Sequence, residues 1–362
     1  MSTTDPHCRQ NKSSMVDPPF CRILRDDAGM LPYCSRKGEE KSVIHWGQRK
    51  LLMSEIEFLT LCQVEHDTLS VDTTVVYAGA APGTHMHVLV KLFPRLRFVL
   101  VDPAPFTMKP LENVRIVQDL FTDALAAELV GDRKNGGQIL FISDIRTADP
   151  DIHAPAESDA RIKEDMKNQW RWHGLLGSVR SMLKFRLPYD KERSEYLDGD
   201  IYLPVWGPQT TTECRLVTCK DEPGKSREYD HEKFESQMFF FNVNTRTALY
   251  KHDVKAEGMD RCYDCRAEVE ILKNYITQAS PWGVPDGAAL DRDVARMSEW
   301  VSRVVSKGRS LADGNLDKTW LMKRIKKRQY DDGVPHYEKR RCVVTHHAKD
   351  PGTCVGDIHR PL

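Results

Sequence analysis

The sequence predicts an α/β fold, a mostly parallel sheet with helices on both faces. Two patterns carry this expectation. Short β-rich runs alternate with stretches of helical spacing, as parallel strands joined by crossover helices require. The first run ends in a glycine turn, and two later runs end at Asp102 and Asp144.

The elements follow in chain order. Residues 1–42 are rich in Pro, Ser, Asp and Lys without an apolar period, and are expected to form an irregular arm. Leu51, Leu52, Ile56, Leu59 and Leu61 mark an amphipathic helix over Lys50–Gln63. Thr73–Ala78 reads as a buried strand, Gly79–Thr84 as a turn, and Thr84–Phe93 as a helix. Arg97–Val101, Val114–Val117 and Gln138–Ser143 are further strands. A long helix is expected over 160–183, with later strands at Ile201–Trp206, Arg215–Cys219 and Met238–Val243. Helical spacing returns over 262–278 and 287–306. The main domain is therefore placed at 43–300 and a basic C-terminal extension at 301–362.

Composition narrows the class. The 362 residues are 40% hydrophobic and 29% charged, which suits a large folded domain and not a disordered chain. No run of about eighteen apolar residues occurs, so no membrane span is expected. No basic-then-apolar leader opens the sequence, and the ten cysteines are scattered. Reduced thiols in a nuclear or cytoplasmic setting are expected. Basic and acidic residues balance at 53 each, yet the balance is uneven along the chain. From Arg303 onward 14 basic residues face 7 acidic ones, a local +7 that favours the nucleus.

The sequence strand–glycine turn–helix–strand–acid points to a nucleotide-like ligand at the carboxyl ends of the strands. Gly79 and Gly83 permit a tight turn and close approach to the backbone. Asp102, about twenty residues on, stands where an acid commonly accepts ribose hydroxyls. The turn lacks the middle glycine of Gly-x-Gly-x-x-Gly, and Gly83 is followed by Thr84-His85, not by the Lys-Ser/Thr of a P-loop. A phosphate-free adenosine ligand fits better, with S-adenosylmethionine the leading candidate.

Several spaced motifs together resemble the poxvirus cap-specific mRNA (nucleoside-2′-O-)-methyltransferase family and the related cap ribose methyltransferases of kinetoplastids. They are Gly47-Gln48-Arg49-Lys50-Leu51-Leu52, Tyr77-Ala78-Gly79-Ala80-Ala81-Pro82-Gly83-Thr84-His85, Ile142-Ser143-Asp144-Ile145-Arg146, Leu183-Lys184-Phe185-Arg186 and Thr212-Glu213-Cys214-Arg215-Leu216. The resemblance covers about residues 45–245 and implies a Rossmann-like S-adenosylmethionine-dependent methyltransferase. It implies a catalytic Lys-Asp-Lys-Glu set at Lys50, Asp144, Lys184 and Glu213, with Lys184 as proton acceptor. It implies cofactor contacts from Gln48, Tyr77, Gly79, Ala81, Pro82, Gly83, Thr84, His85, Asp102, Leu120, Phe121 and Asp144. One departure stands out: where the family has an arginine two residues after the ribose-binding acid, this chain has Ala104.

The chemistry accounts for those residue types. A ribose 2′-hydroxyl is a weak nucleophile that must lose a proton as it attacks a sulfonium methyl about 3–3.5 Å away. A lysine base near pH 7 must sit about three units below its free value, roughly 4 kcal/mol of preference for the neutral amine. Burial and neighbouring cations push that way, while carboxylates orient the amine and oppose the shift. Each of the four residues is expected at an element end, with Lys184 closing the 160–183 helix.

For the RNA, the resemblance implies that methylated guanine is held between aromatic rings with carboxylates reading its edge, an arrangement favoured by cation–π contact. The matching positions are Tyr189 and Asp190, with Glu235 as second acid and Tyr33 as the arm's aromatic. Arg146, Arg186 and the basic tail are candidates for phosphate contacts. The expected partner is the 5′ end of capped mRNA.

Three rival readings stand beside this one. Asp17-Pro18-Pro19-Phe20 matches a base amino-methyltransferase motif but follows no strand. Cys262, Cys265, His346, His347 and Cys354 could supply zinc ligands, but no second Cys-x-x-Cys exists, so structural thiols and no metal are expected. A non-catalytic RNA-binding or processivity protein on the same fold would not need the full Lys-Asp-Lys-Glu set.

Overall fold

A computed structural model describes residues 19–34, 46–65, 72–133, 136–149, 152–208, 211–281, 287–305 and 310–312. In chain order the elements are α1 (Gly47–Glu65), β1 (Thr74–Ala78), α2 (Met86–Leu92), β2 (Arg97–Val101), β3 (Val114–Val117), α3 (Asp123–Gly131), β4 (Ile139–Ser143) and α4 (Pro155–Leu176). Next come β5 (Arg180–Phe185), β6 (Arg193–Leu197), β7 (Gly199–Tyr202), β8 (Cys214–Thr218), β9 (Ser226–Asp230), α5 (His231–Phe240), α6 (Tyr263–Asn274) and α7 (Gly287–Val305). The ends of α5 and α6 continue as π-turns over Phe241–Thr245 and Tyr275–Ala279.

The central sheet has seven strands in the order β3-β2-β1-β4-β5-β8-β7. The first five are parallel, β8 pairs antiparallel to β5 and β7 antiparallel to β8, while β6 and β9 pair apart. Strands β1 and β4 carry near-continuous apolar runs because both of their faces are covered. The chain steps outward from β1 to β3 and then returns to β4 and β5. Right-handed crossovers must then place the helices on opposite faces on either side of that reversal. Accordingly α1 packs with α2, α6 and α7, while α3 packs with α4, which lies against β4 and β5.

Three expectations are corrected. The apolar stretch before Lys184 is not the end of one long helix. Gly177, at φ 54°, terminates α4 in the left-handed region, and Arg180–Phe185 forms β5. Lys184 is thus a strand residue. Likewise Met238–Val243 is not a strand. Asp230 accepts from the Lys233 amide and starts α5, whose turns carry this run as a helix. The later strand expected at Ile201–Trp206 is shorter and earlier, as β7.

The arm residues 19–34 cross the domain: Leu24 donates to the Ile201 carbonyl at 2.7 Å and Leu31 to that of Ser236 at 3.1 Å. At the other end, α7 runs through Val305 and packs on α1 and α6, and Leu311 is buried. The basic runs within 313–362 lie outside the described residues. The seven cysteines among the described residues are free thiols. Among the described residues no helix is long and apolar enough to cross a membrane.

Candidate active site

Strand register assembles the site. Ala78 pairs with Ser143 across β1–β4, and Ser143 with Leu183 across β4–β5. Lys184 is the direct cross-strand partner of Arg215 on β8. Gly79, Asp144, Lys184 and Arg215 therefore form a row along one edge of the sheet, at the carboxyl ends of β1 and β4. That edge includes the reversal point between β1 and β4, where ligands bind in open α/β sheets.

All four residues of the expected catalytic set converge there. Lys184 Nζ lies 2.9 Å from Asp144 Oδ1, 3.2 Å from the Asp144 carbonyl and 3.8 Å from Glu213 Oε2. Lys50 Nζ reaches Glu213 Oε1 at 2.5 Å. Lys50 lies in the first turn of α1, and its amide donates to the Trp46 carbonyl at 2.7 Å. Its neighbour Arg49 anchors that turn from below. Fully buried, Arg49 pairs with Glu268 through two nitrogens and donates to Ser302 Oγ at 2.8 Å. Trp206, at φ 56°, closes this floor by donating from Nε1 to Glu268 at 2.7 Å and from its amide to Asp264 at 3.0 Å.

The cluster holds more positive charge than the four residues alone would give it. Arg215 Nη2 donates to Asp144 Oδ1 at 2.8 Å and Nη1 to Glu213 Oε1 at 3.2 Å. Arg146 also pairs with Glu213 from a half-exposed position. Burial pushes both carboxyls up, but the surrounding cations outweigh it. Lys184 and Arg215 hold Asp144 below its ordinary range; Lys184, Lys50, Arg215 and Arg146 hold Glu213 well below its own. The Lys50 amine is pushed down by burial first, with Arg215 and Lys184 acting in the same sense against Glu213 and Asp144.

Beside this row the glycine turn forms a cradle. Gly79 takes φ +82°, and a Cβ there would lie 2.8 Å from the Asp144 backbone carbon. Gly83 takes φ +67° with Phe106 3.3 Å from a Cβ position. Asp102 spans the loop mouth, accepting from the Ala81 amide at 3.1 Å and the Ala104 amide at 2.8 Å. Pro82 accepts at its carbonyl from the Thr107 amide and hydroxyl, both at 2.9 Å, and Thr84 Oγ1 lies 3.4 Å from Thr107 Oγ1. Behind the loop, His85 links Gln48 to Glu55, and Glu55 accepts the Tyr77 hydroxyl at 2.8 Å. Leu120 is 62% exposed. Phe121 instead packs inward on Trp172 and Phe141, at centroid distances of 4.8 and 5.8 Å.

The residues expected to meet RNA fall into two groups. Arg186 stacks its guanidinium 4.7 Å from the Tyr189 ring centre, and the half-exposed Tyr189 places its hydroxyl 3.0 Å from Thr212 Oγ1. Asp190 is tied down by Lys163 at 2.9 Å, by His231 and by the Glu192 amide at 3.0 Å. Burial would raise its carboxyl, but the Lys163 and His231 hydrogen bonds draw it down to about 2. The second group lies on α5. Tyr33 packs edge-on against Phe239, one helical turn from Glu235. Glu235 is half-buried and makes no hydrogen bond or ion pair among the described residues; burial and Glu232 push its carboxyl up.

The rival motifs find other uses. Phe20 packs against Tyr250 and Tyr263, while Asp17 and Pro18 lie outside the described residues. Asp260, Cys262 and Cys265 bring three candidate ligand atoms within 4.8 Å, but Cys262 Sγ caps α6 by accepting from the Cys265 amide at 3.3 Å. Burial pushes both thiols up, Cys265 to about 12. His346, His347 and Cys354 lie outside the described residues.

A family model described as poly A polymerase regulatory subunit matches residues 19–279. The chain belongs to that family. Among relatives of the poly A polymerase regulatory subunit family member described here is a fowlpox virus protein named cap-specific mRNA (nucleoside-2′-O-)-methyltransferase. It is 28% identical over 243 residues, covering 64% of this chain and 76% of its own. A myxoma virus protein of the same name is 28% identical over 254 residues, covering 66% and 72%. A solved structure of bluetongue virus VP4, titled an RNA-capping production line, aligns at 13% identity with a TM-score of 0.42, covering 73% of this chain and 38% of its own.

Within this family member, sequence reasoning missed two site residues. Arg215 is a buried cation inside an otherwise apolar strand, directly after Glu213, and that oddity was a readable signal. Glu55 is a fully buried acid on the apolar face of α1, between Ser54 and Ile56. An acid at a core position is rarely left without a task.

Proposed function

We propose that the chain transfers a methyl group from S-adenosylmethionine to a ribose 2′-hydroxyl near the 5′ end of capped mRNA, with Lys184 taking the proton. One observation carries this reading: Lys184 Nζ stands 2.9 Å from Asp144 and 3.8 Å from Glu213, beside the glycine cradle. The relatives' names support the substrate class.

The residues present fit the donor. The loop is closed by two glycines in the left-handed region, a Cβ at Gly79 would strike backbone, and the carboxylate of Asp102 sits at the loop mouth. S-adenosylmethionine, when bound, supplies an electrophilic methyl on a sulfonium. Gly79 and Gly83 let the chain wrap it closely. Asp102 and Leu120 would serve the ribose and the adenine. Gln48 faces the amino-acid end.

The chain's own work is orientation and proton transfer. Asp144 and Glu213 fix the direction of the Lys184 amine through charge-assisted contacts. Lys50 and Arg215 neutralise those carboxylates, so the cluster tolerates burial without a stranded negative charge. Lys184 accepts the hydroxyl proton at Nζ as the ribose oxygen gains the methyl carbon, and the proton leaves to solvent afterwards. Tyr189, Tyr33 and Glu235 would meet the cap, and Arg146 and Arg186 the phosphates. A nuclear site of action rests on the basic tail alone; poxvirus relatives favour the cytoplasm.

The test is positional. Capped RNA is incubated with the chain and a methyl-labelled donor, then digested to nucleosides. The reading predicts label on ribose oxygens of cap-proximal nucleotides. Label on an exocyclic base nitrogen, or none at all, would overturn it.

A further inference from the structure

The backbone leading into β8 carries Glu213 and is held by side chains from the end of α5. The turn there is wide: the Arg246 amide bonds the Phe241 carbonyl, five residues back, at 2.7 Å. Asn242 lies in this π-turn and Arg246 ends it, and both are buried. Asn242 Nδ2 donates to the Thr211 carbonyl at 2.9 Å. A carbonyl only accepts, so this contact decides which end of the amide faces it. Arg246 Nη2 donates to the Gly207 carbonyl at 2.6 Å and Nη1 to that of Pro208 at 2.8 Å. Gly207, Pro208 and Thr211 lie outside the sheet ladders, so these side chains supply donors that a neighbouring strand would otherwise supply. Arg246 is itself fixed by Asp264 Oδ2 at 2.9 Å, and Asp264 Oδ1 accepts the Trp206 amide at 3.0 Å. The held backbone touches the Lys-Asp-Lys-Glu cluster twice. A Cβ on Gly207 would lie 3.7 Å from Lys50 Cδ. Thr211 Oγ1 accepts the Glu213 amide at 3.0 Å, and Glu213 meets Lys50 with one carboxylate oxygen and Lys184 with the other.

We propose that Asn242 and Arg246 are positioning residues that hold the carbonyls of Gly207, Pro208 and Thr211 and thereby set Glu213 between Lys50 and Lys184. The inference rests on the proton-transfer reading above and names two residues that act behind it. Neither side chain bonds Lys50, Lys184 or Glu213; both act through the backbone. Glu213 bears on two amines at once, so a shift of its backbone misdirects Lys184. A misplacement of about 1 Å can cost about a hundredfold in rate.

Single-turnover methyl transfer at saturating capped RNA and S-adenosylmethionine reads the chemical step apart from binding. It is measured on the full chain, on Asn242→Leu and on Arg246→Lys. The first variant keeps the side-chain size and removes the donor. The second keeps a charge opposite Asp264 and loses the fork that spans two carbonyls. Each is expected to lower the single-turnover rate at least about tenfold, on the way to the hundredfold of a full misplacement. Calorimetric binding of S-adenosylhomocysteine should be unchanged, which also reports an intact fold. An unchanged rate in either variant, a loss that more RNA or donor restores, or ligand binding that weakens in step with the rate would overturn the proposal. If the unmodified chain leaves no methyl group on ribose, the proton-transfer reading itself fails, and this inference with it. Arg246→Lys decides the matter if Asn242→Leu fails to fold.

Discussion

Arg215 and Lys184 are direct cross-strand partners that converge on one oxygen: Asp144 Oδ1 lies 2.8 Å from Arg215 Nη2 and 2.9 Å from Lys184 Nζ. The arginine cannot lose its proton in a protein, so it fixes a permanent positive charge beside two lysines.

That charge should be measurable at Lys50. Burial and the two neighbouring cations hold its amine below the ordinary lysine range. In Arg215→Met one repulsive charge is gone, so the Lys50 titration midpoint should rise. Nuclear magnetic resonance titration of ¹³C-dimethylated lysines, assigned with Lys50→Arg, would follow it. A midpoint that stays or falls would contradict the charge balance described here.

The glycine cradle makes a graded prediction. A left-handed backbone costs a non-glycine residue about 1–2 kcal/mol. Gly79→Ala adds a collision with backbone at 2.8 Å, whereas Gly83→Ala meets only the Phe106 side chain at 3.3 Å. Gly79→Ala should therefore lose more than about 2 kcal/mol in denaturant unfolding and abolish donor binding. Gly83→Ala should lose less than Gly79→Ala. The reverse order would refute the cradle geometry.

The Arg49–Glu268 pair beneath α1 is wholly buried. Removing one partner of such a pair typically costs 3–5 kcal/mol, because the other charge is left stranded. Glu268→Ala, which also strips Trp206 Nε1 of its acceptor, should fall in that range, and Glu268→Gln should cost less. Urea midpoints at constant slope would measure both. A loss below about 1 kcal/mol for Glu268→Ala would show that the pair does not hold the helix start.

Asp190 carries a pH signature. Its carboxyl is drawn down to about 2 in the folded chain, against about 3.9 when unfolded. The stability it confers is therefore complete above about pH 4 and is lost as the pH falls through about 2. Asp190→Asn should be less stable than the unmodified chain at pH 6, and the difference should shrink between about pH 4 and 2. A difference that is constant over that window would mean that the Lys163 and His231 contacts do not form.

The sequence made the parallel half of the sheet legible because its strands are short β-rich runs, three of which end at Gly79, Asp102 or Asp144. The candidate Lys-Asp-Lys-Glu cluster was legible only through spaced motifs, since any one of its lysines alone reads as a solvated charge. Two apolar runs misled. Leu175-Leu176 followed by Met182-Leu183 keeps a helical spacing across Gly177, and only the left-handed cap at that glycine separates helix from strand. Met238–Val243 is apolar enough for either state, and the Asp230 cap upstream decides for helix. Arg215 and Glu55 went unread for a different reason. Their partners are distant in sequence, and only the register of β5 on β8 and the packing of α1 beside β1 bring them together.

Methyl transfer by Lys184→Ala tests the central claim most directly. Purified, folded protein is given capped RNA and labelled S-adenosylmethionine, with donor binding measured in parallel. The account predicts that ribose methylation falls to background while donor binding is retained. Normal turnover by that variant would contradict it.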